Sequence, residues 1–137
     1  MMRGGGFTLI ELLIVIMILA VLAGAMIPVF RTTRLTAQQA KADADLDSIK
    51  TASIMYHFDT SQWPPIGNTG NGYITNGAAA DNWNGPYLDE WKNDPWSMPY
   101  VIYNGTGVNR FIESWGQGKT DGGTDDRGLL MTANTGF

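Results

Sequence analysis

Arg3-Gly4-Gly5-Gly6-Phe7-Thr8-Leu9-Ile10-Glu11-Leu12-Leu13-Ile14-Val15-Ile16-Met17-Ile18-Leu19-Ala20-Val21-Leu22-Ala23-Gly24-Ala25-Met26-Ile27-Pro28 is the stretch that decides how the chain is built. A short basic, glycine-rich leader precedes an apolar run, and from Phe7 to Phe30 a single charged residue, Glu11, interrupts that run. A helix rises about 1.5 Å per residue and a bilayer core takes about 20 apolar residues, so the run is long enough to span a membrane. A carboxylate inside such a span costs roughly 2.5–3.5 kcal/mol or more. A plain anchor gains by losing it, so the charge has a task. Three plainer readings compete. A simple transmembrane anchor leaves Glu11 unexplained. A secretory signal is mimicked by Ala23-Gly24-Ala25, but the apolar run starts too early and continues past that site. A buried core helix of this length does not suit so small a chain.

Gly6 followed by Phe7-Thr8-Leu9-Ile10-Glu11-Leu12-Leu13 resembles the processing site and N-terminus of type IV pilins and type II secretion pseudopilins. In that family a membrane-embedded prepilin peptidase cuts after the glycine and methylates the new N-terminal residue. The resemblance therefore implies cleavage after Gly6 and N-methylation of Phe7. It also implies an assembly role for Glu11, which falls on the family's fifth mature position, and it matches the family's helix-disturbing proline with Pro28, one turn after Gly24. It covers roughly the first thirty residues. The physical reading agrees: a freed Phe7 amine is not easily buried without a partner. Glu11 of one subunit can pair with that amine on the next as helices stack in a filament. A buried ion pair adds little net stability but can set register.

The whole chain has 137 residues and a formal net charge of −4. Loss of Met1–Gly6 removes Arg3 and leaves −5. Such a charge argues against nucleic acid as a partner, since phosphate binding needs cationic surface. There is no cysteine, so a small extracytoplasmic domain must be held by something other than disulfides. The 17 glycines and 5 tryptophans point to a turn-rich domain with an aromatic core rather than disorder.

Beyond the apolar run, Arg31 and Arg34 come first. Leu35, Ala42, Leu46, Ile49, Ser53 and Tyr56 then recur at three- and four-residue spacing, with Lys41, Asp43, Asp45, Asp47 and Lys50 around them. This is an amphipathic helix that lays its stripe on a domain. From Phe7 to Phe58 an unbroken helix would reach about 78 Å. Pro28 predicts a kink or local melting near Gly24–Pro28. Trp63-Pro64-Pro65 ends the helix. Residues 66–86, rich in Gly, Asn and Ala, read as a long surface loop with one short helical turn near Ala78–Trp83.

Asp94-Pro95-Trp96 and Pro99-Tyr100 follow. They resemble an element of the major pseudopilins in which Asp-Pro-Trp-Gly precedes a Pro-Tyr pair, Ser97 standing in place of the glycine. The residues themselves suggest a turn anchored by Trp96 in the core. Tyr100–Tyr103 and Arg110–Ser114 flank Asn104-Gly105-Thr106-Gly107 as a hairpin, and Leu129–Met131 offers a third strand. The sheet is expected to pack one face on the Leu46–Tyr56 stripe.

The second informative stretch is Ser114-Trp115-Gly116-Gln117-Gly118-Lys119-Thr120-Asp121-Gly122-Gly123-Thr124-Asp125-Asp126. Three carboxylates and four glycines share one loop. Calcium takes oxygen ligands from carboxylates and carbonyls, and glycine lets a backbone curl around it. The loop resembles the C-terminal calcium loop of major pseudopilins. That likeness implies Asp125 and Asp126 as ligands, Asp121 for a family aspartate that would otherwise fall on Gly118, and carbonyls from Ser114 onward. A solvated acidic turn is the plain alternative. No catalytic constellation is visible: His57 is the sole histidine, no thiol exists, and no phosphate-cradling motif follows a strand.

The expected fold is α+β, a pilin fold with one long N-terminal helix and a small antiparallel sheet. The expected layout is a leader over 1–6, a membrane and filament-core helix over 7–30, and a periplasmic domain over 31–137. The expected function is structural and not enzymatic. Subunits wait in the bacterial inner membrane, are processed by prepilin peptidase, and polymerise with the help of an assembly platform and minor subunits. The resemblance favours the major pseudopilin of a type II secretion system. The alternatives are a type IV pilin for adhesion, motility or DNA uptake, and a membrane-anchored glycan-binding module.

Overall fold

The computed structural model describes residues 6–68, 71–77, 80–105 and 110–132. In chain order the elements are α1 (Leu9–Thr60), α2 (Asn71–Ile74), β1 (Val101–Asn104), β2 (Arg110–Ser114) and β3 (Arg127–Met131). Contacts divide the chain into two units, Met1–Ala37 and Gln38–Phe137.

The first unit is the N-terminal part of α1 and the residues before it. Its large apolar side chains, from Phe7 at 89 % exposure to Phe30 at 68 %, have no covering layer of their own. By length and composition this part of the helix can cross a membrane. Nothing lies within 4 Å of the position a side chain would take at Gly24. The melting expected near Gly24–Pro28 is not found, because α1 runs through that stretch without interruption. A proline removes one backbone donor, and the bonds on either side hold the turn closed.

In the second unit, α1 buries Ala42, Leu46, Ile49, Ala52, Ser53 and Tyr56, the stripe read from periodicity. Leu35 departs from it: it is exposed and lies in the first unit, so the buried stripe begins at Ala42. Ser53 is tolerated in the core because its hydroxyl donates to the Ile49 carbonyl at 2.7 Å. The sheet has the order β1-β2-β3 and is antiparallel throughout. Register sets Ile102 opposite Ile112 and Ile112 opposite Leu129. With side chains alternating along each strand, that row faces the helix and closes a core of Leu46, Ile49, Tyr100, Ile102, Ile112 and Met131. Thr106 and Gly107 of the predicted hairpin turn lie outside the described residues.

Tyr56 belongs to another cluster. Its ring meets Tyr73 at 6.3 Å and Tyr87 at 6.0 Å, both edge to face, and Trp83 meets Tyr87 at 5.9 Å. The Tyr87 hydroxyl donates to Asp59 at 2.7 Å, and the Trp83 indole donates to the Tyr73 carbonyl at 3.0 Å. Tyr73, Trp83 and Tyr87 thus tie the chain after α1 back to its end. Its helical turn is at Asn71–Ile74, where Ile74 is fully buried, rather than near Ala78–Trp83. Asp81 and Asn82 form a plain turn, and Ala78 and Ala79 lie outside the described residues. Burial of Ile74 explains the shift: the turn forms where an apolar side chain can reach the core.

Candidate functional site

Gly6 and Phe7 stand exposed ahead of the helix. Thr8 is the N-cap of α1. Its amide and its hydroxyl both donate to Glu11 Oε2 at 2.9 Å, and the Glu11 amide donates back to Thr8 Oγ1 at 3.3 Å. This reciprocal arrangement is a capping box, and Thr8-x-x-Glu11 ahead of an apolar run is its sequence signature. The signal is present in the residues themselves, whereas the membrane cost of Glu11 points only to partners on another subunit. A carboxylate there also suits the positive end of the helix dipole. Glu11 therefore has a partner within its own chain.

The acidic loop starts where β2 ends. Register places Glu113 opposite Val101 and Gly128, on the sheet face away from Ile112. The loop brings Asp121 and Asp126 to it. Carboxylate oxygens of Glu113, Asp121 and Asp126 lie within 4.8 Å of one another. Both oxygens of Asp126 are buried and receive no amide, hydroxyl or cationic donor; what they meet is the Glu113 carboxyl. Burial, the proton shared with Asp126 and the charges of Asp126 and Asp121 push the Glu113 carboxyl up to about 7. Asp121 Oδ2 accepts from the Tyr103 hydroxyl at 3.2 Å, and that hydroxyl accepts from the Trp115 indole at 3.0 Å.

Asp125, expected among the ligands, is not one of the three converging carboxylates. Asp125 turns back under the loop and accepts from the Gly118 amide at 2.6 Å. Gly116 has φ +63°, and a side chain there would collide with the Asp125 carbonyl, so glycine is required. The Ser114 hydroxyl donates to Asp94 Oδ2 at 2.6 Å and accepts from the Gly116 amide at 3.2 Å. Asp94 also accepts from the amides of Trp96 at 3.0 Å and Met98 at 2.8 Å. At 4 % exposure it anchors the Asp-Pro-Trp turn. Trp96, expected in that role, is only half-buried. Sequence spacing places Glu113 in a strand and no further; alternation along that strand turns it away from the Ile112 side, to the face the loop covers.

The cluster fits a hard cation. Its donors are all oxygen, and the two on Asp126 are buried with no cationic side chain bonded to them. Calcium–oxygen distances of about 2.4 Å allow ligands on opposite sides of the ion to be about 4.8 Å apart.

Comparison with known proteins adds the lineage. Residues 1–27 match the prokaryotic N-terminal methylation motif, the mark of prepilin peptidase substrates, and residues 36–112 match the C-terminal domain of PilW. The type II secretion system core protein G of Aeromonas hydrophila is 30 % identical over 129 residues, 90 % of each chain. That of Pseudomonas aeruginosa is 31 % identical over 126 residues, 88 % of this chain and 89 % of the relative. In fold, the crystal structure of the major pseudopilin from the type 2 secretion system of enterohaemorrhagic Escherichia coli superposes with a TM-score of 0.61 at 22 % identity. It covers 71 % of this chain and 86 % of the other. With the methylation motif at its head and likeness along nine-tenths of its length, the chain belongs to the type IV pilin-like family of type II secretion system core protein G, the major pseudopilins.

Proposed function

We propose that this chain is the subunit from which a type II secretion system builds its periplasmic pseudopilus. The observation that carries the reading is the extent of the likeness to core protein G, which takes in the apolar helix and the folded domain together. Prepilin peptidase cuts after Gly6 and methylates Phe7. Residues 7–30 hold the subunit in the inner membrane as a single pass, with residues 31–137 in the periplasm. On assembly, helped by a platform and minor pseudopilins, the amine of Phe7 takes Glu11 of a neighbour as its partner, and residues 7–30 pack in the filament core with Gly24 and Pro28 among them. The role is structural, with no reaction catalysed and no nucleic acid bound.

Calcium is the cofactor of this reading. Glu113, Asp121 and Asp126 would hold it with loop carbonyls, Ser114 among the candidates, and its charge would let the three carboxylates ionise together. The convergence of three carboxylates, with both oxygens of Asp126 buried, supports this. In a folded domain without cysteine, the ion ties the loop to the sheet as a disulfide would elsewhere.

Deletion of the gene in its host tests the function. Loss of folded exoproteins from the medium, restored by the wild-type gene and not by Gly6→Val, is the expected result. Unchanged secretion with loss of surface fibres, motility or DNA uptake would replace the reading by a type IV pilin.

A further inference from the structure

We infer that Asp94 and Ser114 are positioning residues that shape the acidic loop before any ion arrives, an inference that rests on the calcium reading above. Asp94 is buried at 4 % exposure and Ser114 at 0 %. Twenty residues apart in sequence, they share a 2.6 Å hydrogen bond. Two amides of the Asp94 turn fix the carboxylate on its other side, at 3.0 and 2.8 Å, so it cannot swing away from Ser114. Ser114 passes the constraint on: its hydroxyl oxygen takes the Gly116 amide at 3.2 Å and holds that residue in the left-handed conformation. Gly116 in turn packs on the Asp125 carbonyl, and Gly118 binds the Asp125 carboxylate at 2.6 Å.

The neighbours of these residues are the cluster. Glu113 precedes Ser114, and Asp126 follows Asp125. Along a strand, successive side chains point to opposite faces. Fixing Ser114 inward on Asp94 therefore fixes Glu113 outward, toward Asp121 and Asp126. A site assembled in advance binds its ion more tightly than one that must be ordered by it. The Asp-Pro-Trp turn and the acidic loop, far apart in sequence, thus act as one hydrogen-bonded unit.

The test uses the full chain in detergent micelles, with calcium as the probe in titration calorimetry and amide hydrogen exchange in chelator. Ser114→Ala is expected to weaken calcium binding at least tenfold. In chelator it is expected to speed exchange at Gly116 and Gly118 ahead of the core strands. Asp94→Ala, which leaves the Ser114 hydroxyl without its acceptor, is expected to weaken calcium binding to a similar degree. A merely structural role would lower the melting temperature equally with and without calcium and leave affinity unchanged; that result overturns the proposal while the calcium reading stands. If wild type binds no calcium, the calcium reading fails by itself. The positioning role is then judged on exchange alone, and unaltered Gly116 and Gly118 amides in Ser114→Ala overturn it. Should Ser114→Ala not fold, Ser114→Cys is read in its place with the same outcomes.

Discussion

The two units of this chain solve opposite problems. In Gln38–Phe137 the apolar residues find each other: Leu46, Ile49, Ile102, Ile112 and Met131 are each at most 3 % exposed. In Met1–Ala37 the apolar residues follow one another almost without interruption, yet the large ones from Leu9 to Phe30 stay exposed within the single chain. The first pattern is satisfied by its own fold. The second is satisfied only by lipid or by other copies. Chemistry sits accordingly: Glu11 at the head of the exposed helix, and the Glu113 cluster where the folded domain ties down its last loop.

The largest contrast should come from Glu11. Glu11→Val is expected to insert and be processed, yet give no homopolymeric filament by electron microscopy of sheared material. Normal filaments from this variant alone would remove the registry role. Glu11→Gln sharpens the point, since glutamine also closes a capping box. If its filaments are normal, the cap matters and the charge does not.

Next is the core. Leu46→Ala is expected to destabilise the domain by about 2–5 kcal/mol, whereas Leu19→Ala should leave its thermal unfolding unchanged. A drop of similar size from Leu19→Ala would mean that the exposed helix also stabilises the domain.

The acidic cluster should respond to calcium and pH. A ligand of the folded state at a hundredfold excess over its Kd adds about 2.7 kcal/mol. Asp126→Ala is expected to abolish that increment, and Asp81→Ala to leave it intact. Asp125→Ala should destabilise with or without the ion, because its carboxylate holds Gly118. In chelator, the Glu113 carboxyl is raised from its ordinary 4.5 to about 7 in the folded state. Its contribution is therefore favourable below about pH 4.5 and is lost as pH rises toward 7. Melting temperature in chelator should thus fall between pH 5 and 7.5 by an amount that Glu113→Gln removes. The same slope in both proteins would clear Glu113 of responsibility.

The smallest effect is expected at Ser97, whose φ of 71° lies in the left-handed region. Ser97→Gly should raise stability by up to about 1 kcal/mol, measured by denaturant unfolding. A loss would show that the serine side chain makes a compensating contact.

What was legible depended on range. The membrane run, the Ala42–Tyr56 stripe and the three strands follow from spacing along a few turns of chain. Spacing says which face is apolar but not what covers it: by spacing Leu35 belongs with Leu46 though it is exposed, and Tyr56 belongs with the sheet though it meets Tyr73 and Tyr87. The loop was recognised by its glycines and acids. Its division of labour was not, because the bonds that turn Asp125 inward, and those that join Ser114 to Asp94, depend on the folded path. The capping box Thr8-x-x-Glu11 is local and readable from the residues alone.

The aromatic anchorage of residues 66–86 has a practical side. Tyr73 and Ile74 hold one end of the segment, and Trp83 and Tyr87 the other. Between them Asp81 and Asn82 project as an exposed turn. A short epitope or a dye-bearing tag spliced at that turn would ride on a stage clamped at both sides, reporting where subunits travel in living cells while the sheet and the acidic loop stay as they are.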